Sequence, residues 1–177
     1  MSRSKIIAKA RITLRETFTK SGLTAAGRIL RVVNPREGSA QTKIIARGAR
    51  WTPMRFIETP KAVRPIGPYS QGIVLNGFVF VSGTLGVDPV TNQMVRGGIV
   101  EQTKQAMENI KSVLEAGGSA IEKIVKVTVY IKDGSHFSDM NQAYAKFLGT
   151  HRPVRTTVVV GFPRDDILVE IDVIASQ

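Results

Sequence analysis

The stretch from Pro153 to Ala175 constrains the fold most. Two runs rich in β-branched residues flank a turn built on Pro163, Arg164, Asp165 and Asp166, the pattern of two strands with a short connection. Side chains alternate between the faces of a strand. In the second run Ile167, Val169, Ile171, Val173 and Ala175 point one way and make an all-apolar core face, while Leu168, Glu170, Asp172 and Ile174 point the other. In the first run Val158 and Val160 share one face, leaving Arg155, Thr157 and Val159 on the opposite one. Arg155 and Glu170 are therefore charges set into an apolar ribbon, each expected opposite its strand's core face. A charge in such a setting is either solvated at an edge or held for a purpose.

The rest of the chain supplies partners for these strands. Ile73-Val74-Leu75, Asn76-Gly77 and Phe78 to Gly83 read as a hairpin, because Asn-Gly provides the two positive φ angles of a type I′ turn. Phe78, Phe80 and Ser82 share one face, Val79 and Val81 the other. From Ile99 to Ala116 the period lengthens to that of a helix, with Ile99, Ala106, Ile110, Val113 and Leu114 in one stripe and Gly117-Gly118 as its stop. Ser119 is a candidate cap for a short turn through Glu122. Val125 to Ile131 is a strand. A second helix begins near Ser135 or His136, with Phe137, Met140, Tyr144, Phe147 and Leu148 inward and Gly149 at its end. The order β-β-α-β-α-β-β predicts an α+β fold, a mixed sheet with two helices on one face. The other face keeps Phe78, Phe80, Val159 and Leu168, too apolar to stay wet, and an oligomer that covers it is expected.

Charge divides the 177 residues in two. Residues 1–55 hold 13 of the 25 basic residues and only two acids, Glu16 and Glu37, so residues 56–177 balance 12 basic against 12 acidic side chains. The net +11 thus belongs to the first segment, and a nucleic-acid partner is not expected for the neutral domain. Ile6, Ala10, Leu14 and Phe18 recur every four residues among lysines and arginines, the pattern of a basic amphipathic helix, followed by a breaker-rich segment with Asn34-Pro35 and Glu37-Gly38-Ser39. Such a segment reads as a cleavable targeting peptide, with the mitochondrial matrix as the expected address and cleavage between Ala46 and Phe56. Without targeting it is a solvated extension of a cytoplasmic protein. A basic arm for nucleic acid or anionic membrane fits the charges but lacks interleaved aromatics.

Several classes of chemistry are excluded or unsupported. The chain has no cysteine, which removes disulfides and thiolate chemistry. His136 and His151 have no ligand-like spacing, so no metal site is expected. No apolar run is long enough to span a membrane.

Several separated motifs, in order, resemble the Rid/YjgF family of reactive intermediate deaminases. These are Gly67-Pro68-Tyr69-Ser70-Gln71, Val81-Ser82-Gly83, Val125 to Val129, Phe137 with Asn141 and Tyr144, Pro153-Val154-Arg155, and Val169-Glu170-Ile171 running to Ile174-Ala175. The resemblance covers about Thr59 to Ala175. It implies a chorismate-mutase-like (YjgF-type) fold, a homotrimer with sites in the clefts between subunits, and no metal or organic cofactor. It also implies hydrolysis of 2-imino (enamine) acids such as 2-iminobutanoate and 2-iminopropanoate to 2-keto acids and ammonia.

By the same resemblance Arg155 corresponds to the arginine that binds the substrate carboxylate and Glu170 to the glutamate that holds or activates water. Ser82, Gly83, Tyr69 and Asn141 correspond to polar positions around the substrate, and Phe137 to a wall of the cleft. Thr157 stands where many members have cysteine, and a thiol is dispensable for imine hydrolysis. Thr84, Arg152 and Phe162 also depart from the usual pattern, which bears on side-chain preference. Residue by residue there are plainer roles. Arg155 could be an edge arginine paired with an acid, Glu170 a partner for an interface cation, Ser82 turn chemistry, Tyr69 packing against Pro68, and Asn141 an exposed helix position. Competing functions are a ribonuclease or translation inhibitor, which needs localised cations, and a non-catalytic ligand-binding or chaperone-like trimer.

Overall fold

The computed structural model describes residues 28–33, 40–45 and 53–177. Its contacts divide the chain into two compact units, Met1–Trp51 and Thr52–Gln177. In the first, strands β1 (Arg28–Val33) and β2 (Ala40–Ile45) pair antiparallel, with Arg28 opposite Ile45 and Val33 opposite Ala40. The sequence reading emphasised the breakers here; the β-branched residues of Arg28–Val33 and Ala40–Ile45 form strands on either side of them. The amphipathic helix expected over Ile6 to Phe18 lies outside the described residues.

The second unit runs β3 (Arg55–Ile57), β4 (Gly72–Leu75), β5 (Phe78–Leu85), α1 (Ile99–Ala116), β6 (Ile124–Ile131), α2 (Phe137–Leu148), β7 (Val154–Val159) and β8 (Val169–Ser176). The six strands form one sheet in the order β3-β4-β5-β8-β6-β7, antiparallel except for the parallel pair β6-β7. The expected α+β mixed sheet with two helices on one face is what forms, with β3 added at one edge. The Asn76-Gly77 turn has both φ angles positive, at 50° and 78°. Helix α1 spans Ile99 to Ala116, and Gly118, at φ 81°, follows its end. Ser119 does not cap the short turn that follows; its hydroxyl donates to the Ser176 carbonyl and ties the turn to the end of β8.

The core lies between the helices and one face of the sheet. Ile110, Val113 and Leu114 of α1 and Met140 of α2 pack on Val79, Val127, Val129, Ile171 and Val173, all at most 2% exposed. Three buried amides hold this layer together. Asn109 donates to the Leu85 and Val87 carbonyls, and Gln102 bridges the Asp166 carbonyl and the Leu168 N–H. Gln71 clamps the backbone of residues 59–63.

One expected orientation is overturned, and it matters for the site. Parallel strands need a crossover, and α2 supplies it between β6 and β7. The two C-terminal strands are therefore not neighbours: β6 lies between β7 and β8. Residues paired across strands share a face. Arg155, Thr157 and Val159 pair with Val127, Val129 and Ile131, so they stand on the helix-covered face. Val158 pairs with Tyr130 and looks away from the helices. The apolar alternation of β7 does not mark its core face, because β7 is an edge strand whose Val154 and Val158 turn to the uncovered face. That face carries Phe78, Phe80, Val158 and Ile174, and Phe78 and Val158 remain 42% and 38% exposed. Val159 is not part of it. Glu170 does stand on the uncovered face as expected, since its neighbours Val169 and Ile171 are wholly buried on the other.

Candidate active site

The residues singled out from the sequence fall into two clusters. The first is built on β7 and α2. Phe137, Asn141 and Tyr144 lie at i, i+4 and i+7 of α2 and so share one side of the helix. The β6-α2-β7 crossover sets this side over Arg155. The Arg155 guanidinium carbon lies 4.8 Å from the Tyr144 ring centroid and 5.9 Å from that of Phe137, inside the range of a cation–π contact. Phe137 is 45% exposed, not inward like Met140 and Tyr144; it sits at the mouth of the cluster. Among the described residues the ion pairs are Lys132–Asp165 and Arg164–Asp166, so Arg155 has no acid on its fork. The plainer role of an edge arginine paired with an acid is absent there. Two further groups mark the place as unfinished: the Tyr144 hydroxyl and Thr157 Oγ1 are buried with no hydrogen-bond partner among the described residues. Burial pushes the Tyr144 phenol above its ordinary pKa, against the opposing charges of Arg155 and Arg152.

The second cluster is built on β5, β8 and the loop before β4. Between Val81 and Thr84 the β5-β8 register slips, so that Ser82 and Gly83 together face the single residue Asp172, a β-bulge that bends the strand and opens its backbone. Gly83 faces the carboxylate of Glu170, which fills the space a Cβ would need, with Glu170 Cδ 2.8 Å from that point. Glu170 is half-buried, and burial followed by the charge of Asp172 holds its carboxyl above the usual carboxylate range, with no hydrogen bond or cation to offset them. Asp172 itself accepts a hydrogen bond from the Tyr130 hydroxyl at 3.1 Å. Ser82 donates to the Ser70 carbonyl at 2.6 Å, and its N–H donates to the Gln71 carbonyl at 3.0 Å. These bonds pin the Pro65–Gly72 loop to β5. The loop and β3 line an open cleft that includes Glu58, Arg64, Tyr69 and Ser82. The Tyr69 ring is half-exposed in it, its oxygen accepting from the Ile66 N–H at 3.3 Å.

The fold of a single chain does not bring the two clusters together. Arg155 is level with Val127 on β6 and Glu170 with Tyr130, and β6 lies between their strands. With ~4.8 Å between strands and ~3.3 Å per residue, the two Cα atoms are about 14 Å apart, with side chains on opposite faces. Neither this separation nor a role for Tyr144 beyond core packing follows from the sequence alone. The signal for Tyr144 was its seven-residue spacing from Phe137, once β7 is known to lie under α2. Among the described residues no group of three or more His, Cys, Asp or Glu side chains is arranged to hold a metal.

Residues 59–177 match the family described as Endoribonuclease L-PSP. The chain belongs to the Rid/YjgF family. Over 119 residues it is 46% identical to a RutC family protein of Pyrococcus abyssi, covering 67% of this chain and 94% of that one. A Capra hircus protein named 2-iminobutanoate/2-iminopropanoate deaminase is 40% identical over 123 residues, 70% of this chain and 90% of the relative. Among solved structures, the Rid family protein YyfA of Yersinia pestis superposes with a TM-score of 0.67 at 41% identity, covering 70% of this chain and 99% of that chain. In this Rid/YjgF domain the matched region begins just after β3 and takes in both clusters.

Proposed function

We propose that this protein hydrolyses 2-imino acids and their enamine tautomers, such as 2-iminobutanoate and 2-iminopropanoate, to 2-keto acids and ammonia. The observation that carries this is the state of its two charged residues. Arg155 offers an unpaired planar fork, suited to bidentate capture of a small carboxylate. Glu170 is a carboxyl whose pKa is raised toward the working range of a general acid–base. Water adds to C2 of the bound imine while Glu170 takes a proton from it and passes it to the imine nitrogen, giving a neutral carbinolamine. Glu170 then takes the hydroxyl proton and delivers it to the same nitrogen as the C–N bond breaks, so that ammonia leaves and C=O replaces C=N. The exposed backbone of Gly83 lies beside the Glu170 carboxylate.

Because the clusters lie on opposite faces of one subunit, the site we infer is composed of two copies, Arg155 from one and Glu170 from the next. A homotrimer closed around the uncovered apolar face gives three such sites. Ribonuclease action fits less well, since residues 56–177 carry no excess of cations to hold a phosphate backbone.

The test generates 2-iminopropanoate in situ and follows its lifetime with the purified protein. Acceleration by the wild type and its loss in Arg155→Ala are expected; an unchanged imine lifetime with the wild type would end this proposal. Mixing and co-refolding Arg155→Ala with Glu170→Gln should recover activity, with on the order of a quarter of sites intact in random trimers. A mixture as inactive as its components rules out the shared site.

A further inference from the structure

A guanidinium on a long flexible side chain samples many rotamers, so a site that uses it needs something to hold its plane. An acid could do so only by occupying the fork. Arg155 has no such acid among the described residues, and it is instead held against two rings of one helix, Tyr144 at 4.8 Å and Phe137 at 5.9 Å. Aromatic faces engage the flat side of a guanidinium and leave its N–H edge free for a ligand. A second, independent observation concerns the other end of the tyrosine. Tyr144 is 6% exposed and its hydroxyl has no partner among the described residues, although a buried tyrosine hydroxyl ordinarily finds one. The polar end makes no bond that would explain a tyrosine here; the ring makes the contact.

We propose that Phe137 and Tyr144 form an aromatic clamp that sets the plane of the Arg155 guanidinium, so that Tyr144 is a positioning residue for the carboxylate of a small 2-keto or 2-imino acid. This rests on Arg155 being the carboxylate anchor. The clamp acts on how well the ligand is held and leaves the water-handling step to Glu170.

The experiment titrates full-length protein with 2-oxobutanoate, a stable acid of the product class, by calorimetry, alongside imine turnover. Tyr144→Phe keeps the ring and should bind within about threefold of wild type. Tyr144→Leu removes the π face and should weaken Kd and raise KM about tenfold, with kcat within about threefold, as the loss of one desolvated cation–π contact implies. Phe137→Leu should shift Kd the same way by about threefold, reflecting its longer distance. In an Arg155→Lys background Tyr144→Leu should add less than about twofold, because lysine has no plane to set.

Wild-type affinity in Tyr144→Leu, or Tyr144→Phe as weak as Tyr144→Leu, overturns the clamp; the latter would mean that the hydroxyl, not the ring, meets the ligand. Should Tyr144→Leu fail to fold, Phe137→Leu at its exposed position decides, and an unchanged Kd there overturns the clamp. Arg155-dependent binding of 2-oxobutanoate without imine turnover would sink the hydrolase proposal and leave the clamp standing. Absence of any Arg155-dependent binding sinks both.

Discussion

The carboxylate of Glu170 occupies the volume that a β-carbon on Gly83 would fill. The β-bulge between Val81 and Thr84 makes this contact possible, since it sets Ser82 and Gly83 together against one residue of β8. A side chain at 83 is therefore accommodated only if the Glu170 carboxylate moves. Gly83→Ala should push the carboxylate out of place and lower kcat by about 10- to 100-fold, the range over which a misplaced general base costs rate. Thermal unfolding should change little, because Gly83 is at the exposed surface. Full activity in Gly83→Ala would show that the carboxylate position is irrelevant to turnover.

Glu170 also makes stability depend on pH. Burial first, and the Asp172 charge second, raise its pKa in the folded state. The folded protein then binds more protons than the unfolded chain between the ordinary carboxylate range and the raised value. This contribution is present in acid and is lost as pH climbs through that window. Glu170→Gln removes the cost of the charge, so its Tm should exceed that of wild type at neutral pH and converge with it below the ordinary carboxylate range, while turnover is lost. A Tm difference that stays constant with pH would contradict the burial of this carboxyl.

Gln71 is 7% exposed, and its side-chain amide donates to the carbonyls of Thr59, Ala62 and Val63 and accepts from the Thr59 N–H at 2.7 Å. Leucine has similar volume and none of these bonds. Gln71→Leu leaves several backbone groups unpaired and should cost about 2 kcal/mol in urea unfolding, the scale of a lost buried hydrogen-bond set that water partly replaces. The segment 59–63 that the amide clamps should also loosen, and faster amide exchange there would report it. Unchanged exchange there would mean the amide is not what holds the segment.

Much of this was legible in the sequence because local chemistry decided it. Asn76-Gly77 dictates its turn, Gly117-Gly118 its helix end, and the period-2 apolar run Ile167 to Ala175 its buried face. The orientation of β7 was not legible. Alternation says that Arg155 and Val158 face opposite ways, but not which of them looks at the helices; only the parallel pairing under α2 does. The division of the site follows from that same pairing. Ser119 and Gln71 likewise take their roles from backbone carbonyls that lie well away along the chain, Ser176 and Ala62, which no local pattern specifies.

The basic segment gives a prediction independent of the Rid/YjgF domain. With 13 basic residues against two acids over residues 1–55, we propose a mitochondrial matrix address, removed on import. A reporter carrying residues 1–55 should co-localise with mitochondria and be shortened there. Diffuse cytosolic fluorescence at full length would refute this.

The uncovered sheet face gives the last prediction. Phe78 and Phe80 lie 6.5 Å apart by ring centroid, beside Ile174 and in the same face as Val158. Phe78 is 42% exposed, so its side chain contributes little to the subunit's own core, whereas Val79 beside it is wholly buried. Phe78→Lys places a charge on that face without touching the core. If the face is where copies meet, burying an unpaired ammonium there opposes assembly strongly. Light scattering should then show a shift from trimer toward monomer, with the far-UV spectrum retained. If the proposed site, Arg155 of one copy with Glu170 of the next, is the working one, activity should fall together with the assembly, and both should return at higher protein concentration. A fully active monomer would separate catalysis from assembly and require Arg155 and Glu170 to act without each other.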